Sequence, residues 1–529
     1  MGGEYSDPIA GHPPVSRPLA AALIALAALT LAPVWIAPYP HGFDVPQHAA
    51  QVSIADHRAD PEWPYRDEFQ TNPLAPHRLG YAVTRALAWA MPVRVAFAVV
   101  ISASLLALPL AARRLLRGRR YDPGWLLLTL PIGLGYAFRW GLVHYLLATP
   151  IVLWFTGVAL DYAERPEPRR GAGLAALALL LVSTHLIAFA VATLIGAAVI
   201  VAAARRPRRA LVRLWPLAIA PPIAAAWLVL NREAAATSEV ATDLHLGWHR
   251  LAQLPAWLVG HPVGSAAVAV GVVFLLLPFA AGGRFTRSLP RLAPLACVLA
   301  LHFLAPKDFF GTAALYPRFA VFVLPFLLLA LDAAPRRRPL LGVALPFAVS
   351  ALWLTTVGLD LLNYRREMVD LRVLIGRMEP ERRLLYLPVE RGDPEAPGAV
   401  YLHSGMWYQV ERRGIVDFSF AEFFANPFRY EPGKAPPLPP EVEWFPTRFR
   451  WSEHGGARFD CFLVHARRDL GGVLLAGAPA PPRLELRVGN WWLYSLSEGG
   501  CSSPPPAQER GPAGTPSPEP GPSAPHTRP

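Results

Sequence analysis

The chain has 529 residues, of which 53% are hydrophobic and 17% charged, and its mean hydropathy is +0.30. Soluble domains usually carry about 25% charged residues, so the composition excludes an ordinary soluble protein and indicates a polytopic membrane protein. The net charge of +12 does not mark a nucleic-acid binder, because the arginines sit in short clusters between apolar runs, as in RRLLRGRR (113–120), RRPRR (205–209) and RRR (336–338), and not on one basic face.

After a tail at 1–17, the first apolar run, 18–37, is about 20 residues long, enough to cross a bilayer core. Many more such runs follow it, so it is read as an uncleaved first helix and not as a signal peptide. Ten further spans are expected at 92–112, 123–138, 141–160, 171–190, 191–204, 211–230, 263–282, 291–305, 319–334 and 339–360, which gives an all-α bundle of about eleven transmembrane helices. Two of them, 123–138 and 191–204, are short and suit re-entrant or strongly buried segments as well as crossings. Alternate connections (113–120, 161–170, 204–213, 284–291, 336–338) hold 19 arginines in 39 residues, whereas the others hold 9 Arg plus Lys in 102. This asymmetry puts the first group and the amino terminus in the cytoplasm, and everything after Asp360 outside.

Beyond 363 the texture changes. LNYRREMVDLRVLIGRM has helical spacing, and RLLYLPV, FDCFLVHA and WWLYSL look like strands bounded by Gly and Pro turns. A small extracytoplasmic α/β domain at 363–498 is expected, then a disordered Pro- and Ser-rich tail at 499–529 that lacks the apolar residues to bury a core. Of the three cysteines, Cys297 lies in an apolar run, and only Cys461 and Cys501 could pair.

Polar residues sort to one side of this topology. The histidines of the spans (His144, His185, His302) lie toward the ends assigned as external, and most others fall in external loops. No Asp or Glu occupies the middle of a span, since Asp161, Asp332 and Asp360 are all at ends. Ion-coupled transporters use buried ionisable groups near the midplane, so transport ranks third among the readings.

Just outside the first span the chain reads HGFDVPQH, 41–48. Asp44 can cap a helix starting at Val45, with Pro46 in the first turn and Gln47 at the reciprocal capping-box position. Alternatively its carboxylate deprotonates an acceptor hydroxyl or helps hold a divalent cation such as Mg or Mn. His48 falls on the same helical face.

One cytoplasmic start, one span and then a long external loop (39–91) opening on an acid resembles the GT-C superfamily of polytopic glycosyltransferases. The resemblance covers 18–362 and the domain at 363–498. It implies transfer of a hexose or pentose from a polyprenyl-phosphate donor to the hydroxyl of a glycan, lipid or protein, at the outer face of what would be a bacterial cytoplasmic membrane. It also implies that Asp44 is the catalytic acid of the loop, and because polar residues in or beside the spans concentrate at one membrane face, His48, Arg139, His144, His185, Lys307 and Arg318 are expected to line the same outward-facing substrate cavity. The three cations sit at external span ends, where snorkelling to lipid headgroups or clamping a donor phosphate would each place them. Two departures stand out. Asp44 has no adjacent second acid, and NWWLYS (490–495) has Leu493 where oligosaccharyltransferases carry an acid. The rival reading is a non-catalytic scaffold or glycan-binding subunit with the same architecture. HSGMWYQVERRG (403–414) is the most polar-aromatic stretch of the external domain, and a surface loop explains it equally well.

Overall fold

The computed structural model describes residues 16–73, 75–204, 206–232, 244, 246–260, 265–309, 312–334, 339–392, 399–497 and 500–502. His245, Arg205, the 336–338 arginines and nearly all of the 499–529 tail lie outside the described residues.

The chain is mostly helical. Five helices are long and apolar enough to cross a membrane: Arg17–Trp35, Val93–Leu115, Val143–Glu164, Leu186–Ala203 and Gly342–Arg377. Pro207–Arg213 and Trp215–Leu230 form a bent sixth candidate with a 51° break; Pro216, Pro221 and Pro222 withdraw backbone donors there. Ser265–Ala280, Leu289–Leu304 and Tyr316–Ala330 are shorter apolar helices. Val143–Glu164 is central, with His144, Tyr145, Thr149 and Thr156 all buried along it.

Two expected spans differ in form. The stretch at 123–138 is not one α-helix but two 3-10 segments, Pro123–Thr129 and Pro131–Leu134, followed by the short helix Tyr136–Arg139. Pro131 cannot donate, and a Cβ on Gly135 would lie 3.0 Å from the Leu258 carbonyl oxygen, so the segment is fitted to a close neighbour at the cost of regular hydrogen bonding. The boundary expected at 190/191 falls instead at His185, whose extended backbone separates Pro168–Thr184 from Leu186–Ala203.

The boundary expected at 362/363 lies inside a single 39-residue helix, Pro339–Arg377, which carries the bundle into the carboxy-terminal region without a linker. There a five-stranded sheet has the order Ile415–Val416, Arg383–Pro388, Cys461–His465, Trp491–Ser495, Arg483–Val488. The first three strands are parallel and the last two are added antiparallel. Alternation sends Leu384, Leu463 and Leu493 into the main core, while Leu385, Leu387, Phe462, Val464 and Trp492 build a second cluster on the opposite face. A disulfide joins Cys461 to Cys501, and Met378 bridges to Ser502, so these contacts include residues past the expected start of the tail.

The first loop is fastened to this region. Phe69–Thr71 pairs antiparallel with Phe428–Tyr430, the Tyr65 hydroxyl donates to the Gln409 carbonyl at 2.7 Å, and the Phe428 amide donates to Gln51 Oε1 at 3.0 Å.

Candidate active site

Asp44 is placed by backbone contacts. The Phe43 amide donates to the Arg139 carbonyl at 3.2 Å and the Asp44 amide to the Trp140 carbonyl at 2.9 Å. This docking brings two glycines together, both with positive φ (Gly42 at 140°, Gly141 at 73°). Upstream, Tyr39 stacks on Trp407 at 4.5 Å and donates to Glu411 at 2.9 Å. The turn is therefore held from the membrane side and from the sheet side at once.

The capping-box reading of Asp44 is overturned. The helix does begin at Val45, but Asp44 has αR backbone angles (φ −90°, ψ −5°), and its side chain makes no cap hydrogen bond. Gln47 does not reach back either: its Nε2 donates to the Phe418 carbonyl at 3.2 Å, and its Oε1 accepts from the Phe420 amide at 2.9 Å. Pro46 fills a position where no amide needs a partner, so the helix start costs Asp44 nothing. Its carboxylate, 13% exposed, lies 3.4 Å from His403 Nδ1.

His403 is buried, and its Nε2 meets Glu443 Oε1. Burial alone would push this imidazole down, but Glu443 and Asp44 outweigh that and hold it at about 9. Burial likewise raises Glu443, with His403 pulling it back. Behind them a cleft is lined in part by Gln47, Tyr386, His403, Asp417, Phe418 and Glu443.

On the other side of Asp44 lies a group of imidazoles. His48 Nδ1 is 2.7 Å from the Tyr81 hydroxyl, which donates to Asn426 Oδ1 at 3.2 Å. His48 must then be the donor in its own bond, leaving Nε2 as an acceptor. The His144 ring is 4.8 Å from His48, 4.2 Å from Tyr81 and 6.3 Å from His77, and His77 is 4.5 Å from His185. Burial lowers His48 and His77 to about 4 each, so both are neutral at pH 7. Neither His144 nitrogen has a hydrogen-bond partner among the described residues.

The expected cations divide. Arg318 borders the imidazoles: its backbone carbonyl accepts from the Tyr145 hydroxyl at 2.9 Å, and its charge acts on His77 and His185. Its guanidinium donates to the carbonyls of Ala313 and Ala314. Arg139 sits behind the Asp44 turn, 4.0 Å from Asp360, with Nε and Nη2 lacking hydrogen bonds among the described residues. Lys307 is half exposed, 3.5 Å from Asp308. The structure thus groups Asp44, His48, His144 and His185, sets Arg318 beside them, and pairs Arg139 and Lys307 with other acids.

Sequence reasoning missed His403, Glu443, His77 and Tyr81. His403 had a signal in its polar-aromatic segment; Glu443, in PPLPPEVEWFP, had none. A divalent cation does not fit well. No group of three or more His, Cys, Asp or Glu among the described residues is arranged to hold one, and the neighbour of Asp44 is an imidazole biased toward its cationic form.

The sequence matches no family model and no curated protein. The fold is nevertheless shared with ArnT from Cupriavidus metallidurans bound to undecaprenyl phosphate, at a TM-score of 0.53 and 13% identity over 91% of this chain and 98% of that one. The likeness is one of fold. The mycobacterial arabinofuranosyltransferase AftD is also similar, with a TM-score of 0.49 and 14% identity over 92% of this chain and 40% of that one. Within this fold, Asp44 stands where the first loop, the bundle and the carboxy-terminal sheet region meet.

Proposed function

We propose that this protein is a membrane glycosyltransferase that moves a sugar from a polyprenyl-phosphate-linked donor to an acceptor hydroxyl on a glycan, lipid or protein. The observation that carries the reading is the Asp44 carboxylate. It is free of its helix end and partly exposed between the membrane helices and the external region, on a fold shared with a protein bound to undecaprenyl phosphate. Asp44 takes the acceptor proton as the acceptor oxygen attacks the anomeric carbon. The bond from that carbon to the phosphate oxygen breaks, and polyprenyl phosphate leaves with the electron pair. A single displacement of this kind inverts the anomeric centre. Arg318, with His144 and His185 beside it, receives the phosphate, where charge builds as the bond breaks. Arg139 and Lys307 lie farther out in this scheme, and His48 shapes the acceptor side.

The same reading keeps the eleven crossings, the cytoplasmic amino terminus and the extracytoplasmic 363–498 region in a bacterial cytoplasmic membrane. Support comes from the arginine asymmetry and from the Cys461–Cys501 disulfide, since disulfides persist in oxidising compartments.

The test is transfer of radiolabelled sugar from polyprenyl-phosphate donors by membranes, normalised to folded protein. Asp44→Asn removes the basicity needed for proton abstraction and should cost about 10²–10⁴-fold in rate. Full activity in that variant would reject Asp44 as the base and favour a non-catalytic scaffold.

A further inference from the structure

Asp44, His403 and Glu443 come from three separate segments and meet at the foot of the external region. His403 Nδ1 lies 3.4 Å from Asp44 Oδ1 and 3.1 Å from the Phe43 carbonyl oxygen, while Nε2 meets Glu443. The ring is 4% exposed, and Phe43, Phe418 and Phe420 surround it at centroid distances of 4.6, 5.5 and 5.5 Å. It cannot swing away without opening the junction between the first loop and the sheet region.

We propose that His403, braced by Glu443, is the positioning residue for the Asp44 carboxylate, which makes the external region a working part of the transfer site. This rests on the reading of Asp44 as the base. One Nδ1–H addresses both the Phe43 carbonyl and the Asp44 carboxylate, so a single ring sets the backbone and the side chain of the reacting residue. An ionised Glu443 requires Nε2 to carry a proton as well, which makes both nitrogens donors. The imidazolium then lies between two carboxylates.

The titratable groups facing this ring are Asp44 from the first loop, Glu443 from Pro440–Trp444, and His48 from Val45–His57; Glu443 in turn acts on Asp417 behind it. Burial works against the His403 charge, and the carboxylates overcome it, so the ring stays protonated up to about pH 9. Above that the ring is neutral and its single remaining N–H cannot serve both carboxylates.

The experiment measures kcat and donor KM against pH in the full-length protein in detergent, for wild type, His403→Gln and Glu443→Gln. His403→Gln keeps an N–H donor but no charge; its kcat should fall about 10–100-fold through misplacement of the base, with donor KM within about twofold. Glu443→Gln keeps the packing and removes the charge that raises His403, so the alkaline limb of kcat should move from about pH 9 to lower pH. If His403→Gln melts below the assay temperature, the alkaline limb of Glu443→Gln decides alone. Wild-type kcat and pH profile in folded variants would overturn the positioning role and leave Asp44 as base. Full activity in Asp44→Asn would instead remove the base reading, and this one with it.

Discussion

Gly42 and Gly141 cross backbone to backbone. A Cβ on Gly42 would lie 2.7 Å from the Gly141 Cα, and a Cβ on Gly141 would lie 2.7 Å from the Asp44 nitrogen. Because both obstacles are main chain, no rotamer change relieves them. The crossing delivers Asp44 to its position, and each glycine also has a φ that other residues adopt at a cost.

Gly141→Ala should therefore destabilise the protein and reduce transfer. Gly433→Ala is the matched control, since Gly433 has a similar φ of 77° with nothing within 4 Å of its Cβ position. The control pays only the left-handed backbone cost of about 1–2 kcal/mol, and Gly141→Ala should lose more than that in melting temperature as well as activity. Equal losses in both would show that the crossing tolerates a methyl group.

Asp44→Ala is informative because the cap is absent. A true N-cap would lose about 0.5–2 kcal/mol on truncation, whereas here Asp44→Ala and Asp44→Asn should melt within about 0.5 kcal/mol of each other, because both remove the charge facing His403 and neither removes a cap hydrogen bond. Differential scanning in detergent checks this, and a clearly less stable alanine variant would restore the capping role.

Gly80 faces His144: a Cβ there would lie 1.9 Å from Nδ1. Alanine favours the helix Arg78–Ala88 by about 1 kcal/mol, so Gly80→Ala should fold while displacing the imidazole. If His144 receives the donor phosphate, donor KM should rise about tenfold, equivalent to roughly 1.4 kcal/mol. An unchanged KM would take His144 out of the phosphate site.

Asp417 is buried and pushed up to about 7, chiefly by burial, although the Tyr386 amide donates to it at 3.0 Å. An acid whose folded pKa is raised stabilises the fold fully below its unfolded value near 3.9, and that contribution disappears as pH rises to about 7. Asp417→Asn keeps an acceptor for Tyr386 and removes the penalty. Its stability gain over wild type should grow from pH 5 to pH 8, as measured by melting temperature; a gain independent of pH would contradict the burial argument.

The Cys461–Cys501 link spans 40 residues of sequence, for which chain entropy suggests about 2–4 kcal/mol of stabilisation. Denatured, unreduced protein from intact cells should expose one thiol to alkylation, that of Cys297, and all three cysteines after reduction. Cys501→Ala should lower the melting temperature, and Cys297→Ala should not.

Some of this protein was written in local sequence. Apolar run length and arginine placement are additive, near-neighbour properties, so the membrane class, most helix positions and the strands RLLYLPV, FDCFLVHA and WWLYSL could be read directly. So could Asp44 at the opening of the first loop, because its place follows from the end of an apolar run. What Asp44 does with its carboxylate could not be read. HGFDVPQH satisfies every local rule for a capping box, yet Asp44 and Gln47 turn to partners 359 and 371 or more residues away, His403, Phe418 and Phe420. The broken 3-10 path through 123–134, the helix that ignores the 362/363 boundary, the pairing of Arg139 with Asp360 and the meeting of His48, His77, His144 and His185 have the same origin. Each is decided by which segments pack together, and packing energy is a property of the pair of surfaces, which neither stretch of sequence contains alone.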